Sequence, residues 1–413
     1  MRRALLLALP LIALAVWLWT SAELPPPAPA VPASAVFTRA QISRAQEYRE
    51  PGYLLGPAAI ALQLVVAWLL AWRGRGWAAR LPAVAAALAV ALVIAATALP
   101  IEYWQHLRAR DAGIDVRSGW AWARDAAIST AVQAVAVAVV YALARVAHRR
   151  LGALGVALAA WAAVVALTML QPLLIDPLFV STRPLPPAAA AQAARLERLM
   201  DAHPRSITVG DASSRTTAEN AQVDGLGPTV RVVVDDTALA ERPGPLRALL
   251  AHELAHVRRR HTLAGVLWLG VIGLPAILLV LAAAGRLTGG RPRDAAAVPV
   301  VLACALTAAT MLLPVENLVS RRIEAEADWV GLRATRDPAS TEALDRRLAL
   351  GGLSNPDPPG WAVWLLFDHP PVMDRIAVAR AYASLSSVSS PWSSSCASNS
   401  GRFLIPSRVR HLE

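Results

Sequence analysis

The sequence predicts a mostly α-helical, polytopic membrane protein of about seven transmembrane helices, with a polar insert carrying a small β-sheet. Three observations predict it. Of 413 residues, 56% are hydrophobic and the mean hydropathy is +0.44, more apolar than a water-soluble domain requires. The apolar residues gather into runs near the length a helix needs to cross a bilayer core, roughly 4–20, 53–72, 81–101, 125–147, 151–173, 262–284 and 295–315. Between the fifth and sixth runs lies a polar stretch, about 184–261, that contains clusters of β-branched residues.

The first run follows Arg2 and Arg3 and has no small-residue cleavage site before the next segment, which predicts a retained anchor helix. Residues 22–36 form an extended Pro/Ala linker. A polar loop over 102–124 carries Trp104, Trp120 and Trp122, residues that favour the membrane–water boundary. Within the polar insert, 188–202 is Ala-rich and helical. The β-branched stretches 206–209 and 229–235 are strands, and 246–261 returns to helical periodicity. Past the seventh run, 316–335, 337–351 and 374–384 are helical, and a low-complexity, Ser-rich tail follows from about 385 to 413 that is expected to be disordered.

The formal net charge is +11, and all 40 basic residues are Arg. They sit mainly beside the apolar runs, where juxtamembrane charge belongs, so the partner they imply is the lipid bilayer and not nucleic acid. Arg73, Arg75, Arg145, Arg149 and Arg150 fall on one side of the bilayer and Arg108, Arg110, Arg117 and Arg124 on the other. The charge bias therefore does not set the orientation. The two cysteines, Cys304 in an apolar run and Cys396 in the tail, form no disulfide framework.

Residues 252–256 read His-Glu-Leu-Ala-His within the helix-forming stretch ALLAHELAHV. On a helix, positions i and i+4 share a face, so the His252 and His256 imidazoles can reach one Zn²⁺. Glu253 then points beside the metal, where it can take a proton from water activated there. A catalytic zinc needs a third protein ligand and an open position. Candidates are His261, Glu316, Glu324, Glu326, Asp328 and His369. His261, five residues past His256, is off the His256 face. Glu324 and Asp328 are i and i+4, so one can bind metal while the other orients a ligand imidazole through its free nitrogen. Spacing does not decide between them.

The chain resembles the type I CAAX prenyl proteases, integral-membrane zinc peptidases of the gluzincin kind. The resemblance runs through FTRAQISRAQEYR, GIDVRSGWAWARDA, DPLFVSTRPLP, RTTAENAQVDGLGPTVRVVVDDTAL, AHELAH, ENLVSRRIEAEAD and FDHPPVMDRI. It implies one Zn²⁺ per chain, with Glu324 as third ligand and Asp328 supporting it. It further implies that Asn220 and Ala221 bind substrate backbone as an added strand, that His369 lies close to the reacting peptide, and that Asn317, Arg321 and Arg322 match the polar run before the ligand Glu, Arg321 touching substrate. On this reading 1–183 is a membrane domain of five spans, and 184–384 is a zinc metallopeptidase domain that includes two more. The expected activity is hydrolysis of peptide bonds in membrane-associated or C-terminally lipidated substrates, by a multi-pass cell-membrane protein whose site faces the cytoplasm. A membrane quality-control zinc protease of the heat-shock type is the alternative enzyme, disfavoured by the five apolar runs ahead of the zinc helix. A non-enzymatic scaffold that retains a zinc site is disfavoured by Glu253.

Overall fold

The computed structural model describes residues 2–239, 243–291 and 294–388. The predicted Ser-rich tail lies almost wholly outside the described residues. Among these, five helical stretches are long and apolar enough to cross a membrane: Arg39–Arg73, Ala83–Asp111, Gly119–Leu178, His261–Leu287 and Ala295–Thr335. The first helix, α1 (Arg2–Thr20), adds a shorter apolar stretch, Ala8–Thr20.

All seven predicted apolar runs are helical, but they are partitioned differently. Helix α2 (Arg39–Arg73) begins fourteen residues ahead of its apolar run, started by a capping box in which Thr38 Oγ1 accepts from Gln41 N at 3.3 Å. The short α3 (Arg75–Ala78) leads to α4 (Ala83–Ala96) and α5 (Leu99–Asp111), which share one span. The fourth and fifth runs are the two helical arms of α6 (Gly119–Leu174), 56 residues long, which meet at a kink. At 1.5 Å per residue an unbroken helix of that length would be nearly three times the thickness of a bilayer core, about 30 Å. Gly152, with φ 68° and ψ −155°, breaks it into two arms, a conformation open to glycine because it has no Cβ.

The spans meet through small side chains. Ala67 and Ala71 of α2, Ala86 and Ala87 of α4, and Ala284 and Ala303 further on are buried, so helix backbones approach closely. Large apolar side chains such as Leu54, Trp72, Val146 and Met311 are exposed on the outside, where lipid rather than water suits them.

The polar insert builds the expected sheet, with two more strands than the β-branched runs announce. Its order is β1 (Thr182–Pro184), β2 (Ile207–Gly210), β4 (Arg231–Asp235), β3 (Ala221–Asp224). β2 and β4 are parallel, and the two outer pairings are antiparallel. Val232 and Val234 of β4 bury one face of the sheet. Against them pack Leu196 and Met200 of α7 (Pro187–Met200) and Leu250 and Leu254 of α8 (Pro243–Arg259). The core continues to Ala327 and Val330 of α10 (Val298–Thr335) and Leu344 of α11 (Pro338–Gly351). Between α8 and α10 runs the membrane helix α9 (His261–Leu287), and the described chain ends with α12 (Gly360–Leu366) and α13 (Val372–Val388).

α10 decides where the site sits. Its first half belongs to the apolar bundle and its second half leaves it without a break, bringing Glu324 and Asp328 against α8. Gly331 permits this approach: a Cβ there would lie 3.1 Å from Ala251 C and His252 N.

Candidate metal centre and active-site cleft

α8 presents three functional side chains because its remaining turns are fixed in the core. Leu249, Leu250, Ala251, Leu254 and Ala255 are buried around them. His252 and His256, one turn apart, project the same way, and Glu324 reaches them from α10. His252 Nε2 and His256 Nε2 are 3.1 Å apart, and Glu324 Oε2 lies 3.2 Å from the first and 3.6 Å from the second. These atoms form a metal-sized triangle within 4.8 Å of one another.

The residues present fit a tetrahedral cation. Ligand bonds of about 2.0–2.1 Å at tetrahedral angles place donors about 3.3–3.4 Å apart, the middle of the three observed edges. Glu324 Oε2 is buried and finds no donor with hydrogen-bond geometry. His252 Nδ1 lies 2.8 Å from Asp328 Oδ1, which favours its proton there and leaves its Nε2 lone pair free toward a cation shared with His256 Nε2, 3.1 Å away.

A ring of supports surrounds the triangle. His252 Nδ1 lies 2.8 Å from Asp328 Oδ1, so His252 is held between the two carboxylates of α10. Asp328 accepts in turn from Arg375 Nη2 at 2.7 Å, and Arg375 Nε lies 3.2 Å from Asp345 Oδ1. Asp345 is 1% exposed, and burial pushes its carboxyl up to about 7. Glu253 is 5% exposed and points into the cleft; burial raises its carboxyl from the usual range, against the pull of His252 and His256. His369 Nε2 stands 3.4 Å from Glu324 Oε2, while its Nδ1 meets Asp368 Oδ1 at 2.9 Å. That carboxylate holds His369 above the usual imidazole range.

The cleft beside the triangle has a volume of about 430 Å³, and Asn220, Ala221, His252, Glu253, His369 and Arg375 line it. β3 forms its rim as the outer strand of the sheet. Asn220 O accepts from Asp235 N at 3.0 Å, so 220/235 is a hydrogen-bonded pair across β3 and β4. By antiparallel alternation the N–H and C=O of Ala221 and Val223 point away from β4, to the open edge.

Arg321 is placed differently. It lies outside the cleft lining, and its guanidinium donates to the carbonyls of Val363, at 2.8 Å, and Phe367. Asn317 donates to Leu365 O at 2.6 Å. Together they pin the segment that leads to Asp368 and His369. Arg322 turns to α1, donating to Trp19 O at 2.6 Å and lying over the Trp19 ring.

Two contributors escape a reading of the sequence alone. Arg375 sits in the quoted stretch FDHPPVMDRI, but nothing local marks it as the partner of Asp328. His261, which spacing places off the His256 face, has its Nδ1 3.0 Å from His256 Nδ1. The cause is Arg260, whose left-handed backbone (φ 54°, ψ 44°) ends α8 and folds His261 back. The signal that could have found it is the polar Arg-Arg-Arg-His run between two helical patterns.

Comparison with known proteins agrees with this geometry. Residues 189–383 match the family model for Peptidase family M48. Over 307 residues the chain is 28% identical to the metalloprotease YhfN of Bacillus subtilis, covering 70% of each chain. It is 32% identical over 197 residues to a Protease HtpX homolog of Kineococcus radiotolerans, covering 41% of this chain and 66% of that one. The fold is similar to the crystal structure of S. mikatae Ste24p, with a TM-score of 0.66 and 16% identity over 85% of this chain and 92% of that chain.

Proposed function

We propose that this multi-pass membrane protein, whose residues 189–383 match the model for Peptidase family M48, is a zinc metalloprotease of that family, an endopeptidase that cleaves membrane-associated or C-terminally lipidated CAAX-type substrates. His252, His256 and Glu324 hold the zinc. Bound there, zinc supplies Lewis acidity toward water and toward a peptide carbonyl. Asp328, backed by Arg375, fixes the ring of His252 through its free nitrogen.

Glu253 is the general base. It accepts one proton from the water that attacks the scissile carbonyl and delivers it to the departing amine, so the C–N bond breaks to a carboxylic acid and an amine, which then ionise to carboxylate and ammonium. A buried, raised carboxyl is suited to both halves of that transfer. His369, oriented by Asp368, donates a hydrogen bond to the oxygen that gains charge. The peptide lies extended along β3 and pairs with the outward N–H and C=O of Ala221, beside Asn220. Arg321 serves this subsite by holding the 363–367 backbone.

The observation that carries the reading is the convergence of three metal-sized donors and a buried glutamate at the end of an unpaired strand edge. The lipidated substrate class is supported by the match of motifs along the chain and by the membrane bundle that adjoins the cleft. The cytoplasmic orientation rests on the same resemblance, and cysteine labelling of the 112–118 loop tests it. The decisive experiment is Glu253→Gln in the full chain: zinc content stays at one per chain while cleavage falls by about 10²–10⁴. Prenylated and unprenylated peptides are compared in parallel. The relatedness to HtpX homologs favours one second reading, membrane protein quality control; equal cleavage of both peptides together with preference for unfolded membrane proteins would select it.

A further inference from the structure

His261 and Glu326 are among the most buried ionisable groups described, 6% and 5% exposed, and the reaction outlined above uses neither. Both belong to one line of contacts that ends on a proposed zinc ligand. His256 directs Nε2 to the metal triangle, leaving Nδ1 on the far side of the ring. That Nδ1 meets His261 Nδ1 at 3.0 Å, the rings being nearly perpendicular. His261 Nε2 in turn lies 3.4 Å from Glu326 Oε2.

Proton placement along this line has one consistent solution. A neutral imidazole that gives its Nε2 lone pair to a metal carries its proton on Nδ1. His256 Nδ1–H must then donate, so His261 Nδ1 must accept and His261 keeps its own proton on Nε2. That proton is drawn toward the negative charge of the Glu326 carboxylate, whose Oε2 stands 3.4 Å away without hydrogen-bond geometry, and this charge favours the tautomer. Glu326 is itself anchored: its Oε1 accepts from Arg259 Nε at 2.5 Å and from the backbone N–H of Glu23 at 3.0 Å. Arg259 also donates to Ser21 O at 2.8 Å and to Glu23 Oε1 at 3.2 Å, which ties the chain after α1 to the same carboxylate.

The left-handed backbone at Arg260 supports a purpose for this arrangement. A non-glycine residue in that region is strained, and what it secures is the return of His261 onto His256.

We propose that His261 and Glu326 are positioning residues for the zinc ligand His256, fixing its ring and its Nδ1–H tautomer as Asp328 does for His252. The inference rests on the reading of His256 as a ligand. It adds a second, histidine-mediated support at His256 to the carboxylate one at His252.

The test measures zinc affinity by competition with a chelating dye, using the purified full chain in detergent, and the absorption spectrum of the Co²⁺-substituted protein. His261→Phe keeps the ring volume and removes the acceptor; Glu326→Gln keeps the shape and removes the charge. Each is expected to weaken zinc binding by about 10–100-fold, to alter the Co²⁺ bands, and to leave the melting point of the metal-free protein unchanged. His261→Asn, whose Oδ1 can stand in for Nδ1, should recover affinity to within about threefold of the parent. Affinities within twofold of the parent for both Phe and Gln variants overturn the proposal. So does equal loss in His261→Phe and His261→Asn, which would mean a packing role. If His261→Phe does not fold, Glu326→Gln alone decides. His256→Ala separates the levels: if it leaves zinc binding intact, the ligand assignment fails, whereas loss there with no loss in the other variants refutes the positioning role alone.

Discussion

Replacing Gly331 by alanine tests how tightly α10 must approach α8 to assemble the site. An added Cβ would lie 3.1 Å from Ala251 C and His252 N and 3.2 Å from Ala251 O, all backbone atoms of the helix that carries the ligands. Ordinary contact would place it several tenths of an ångström further out, so the two helices must part by that amount. Gly331 lies seven residues after Glu324 and three after Asp328, on the same face of α10, so the parting is passed to both carboxylates. Overpacking of this kind costs about 1–3 kcal/mol, and the helix propensity gained on losing a glycine returns about 1 kcal/mol. The net cost is about 0–2 kcal/mol, centred near 1, and it is not shared equally between states. A metal-free chain can relax by separating the helices, whereas a bound cation fixes the 3.2 Å spacing of His252 and Glu324. The strain therefore falls on the zinc-loaded state and appears as a loss of zinc affinity of about fivefold, and at most about 30-fold, at tenfold for each 1.4 kcal/mol. Chelator competition measures it, and Gly285→Ala is the control, since a Cβ there meets nothing within 4 Å. Zinc affinity for Gly331→Ala within twofold of both parent and control would show that the close approach does not set the donor triangle.

Other consequences can be checked alongside. Ala221→Pro removes the outward N–H of β3 and should raise KM about tenfold or more, with zinc affinity unchanged; an unaltered KM means the peptide does not pair with this strand. Arg375→Ala leaves Asp328 and Asp345 facing each other without their shared cation, and zinc affinity should drop about 10–100-fold; Arg375→Lys should recover part of it. Asp115, remote from the metal, tests the loop that joins α5 to α6. Burial alone would raise its carboxyl, but Arg117 and His106 bring it down to about 2 from 3.8. A lowered carboxylate contributes stability that is complete above its unfolded value and is lost as pH falls through the folded one, here between about pH 4 and pH 2. About 2 kcal/mol is at stake. Asp115→Asn should be less stable by that amount at pH 7 and should lack this acid-dependent component; identical pH profiles of denaturation for parent and variant would exclude it.

What was legible in the sequence was legible because it is local. Apolar runs and an i, i+4 pair of imidazoles are set by hydropathy and helix period, so the apolar parts of the spans, the α8 motif and a strand within 229–235, observed at Arg231–Asp235, could be located. β1 and β3 carry no such period; they are three and four residues long, and their pairing with β2 and β4 makes them strands. The fourth and fifth runs are two helices that meet at the kink of Gly152, as their separate apolar stretches predict.

The third metal donor marks the boundary most clearly. Six side chains satisfy the chemistry, and only the path of α10 past α8, permitted by the missing Cβ of Gly331, brings Glu324 rather than Glu316 or Glu326 to the imidazoles. Arg375 reaches Asp328 across a gap of 47 residues and Asp345 reaches Arg375 across about 30, and a single left-handed residue, Arg260, returns His261 to His256. The sequence by itself determined the membrane bundle and the metal-binding helix, since both follow from periodicities within one element. The tertiary structure alone decided which distant charges share that helix's metal, because backbone proximity and the turns between elements leave no trace in local pattern.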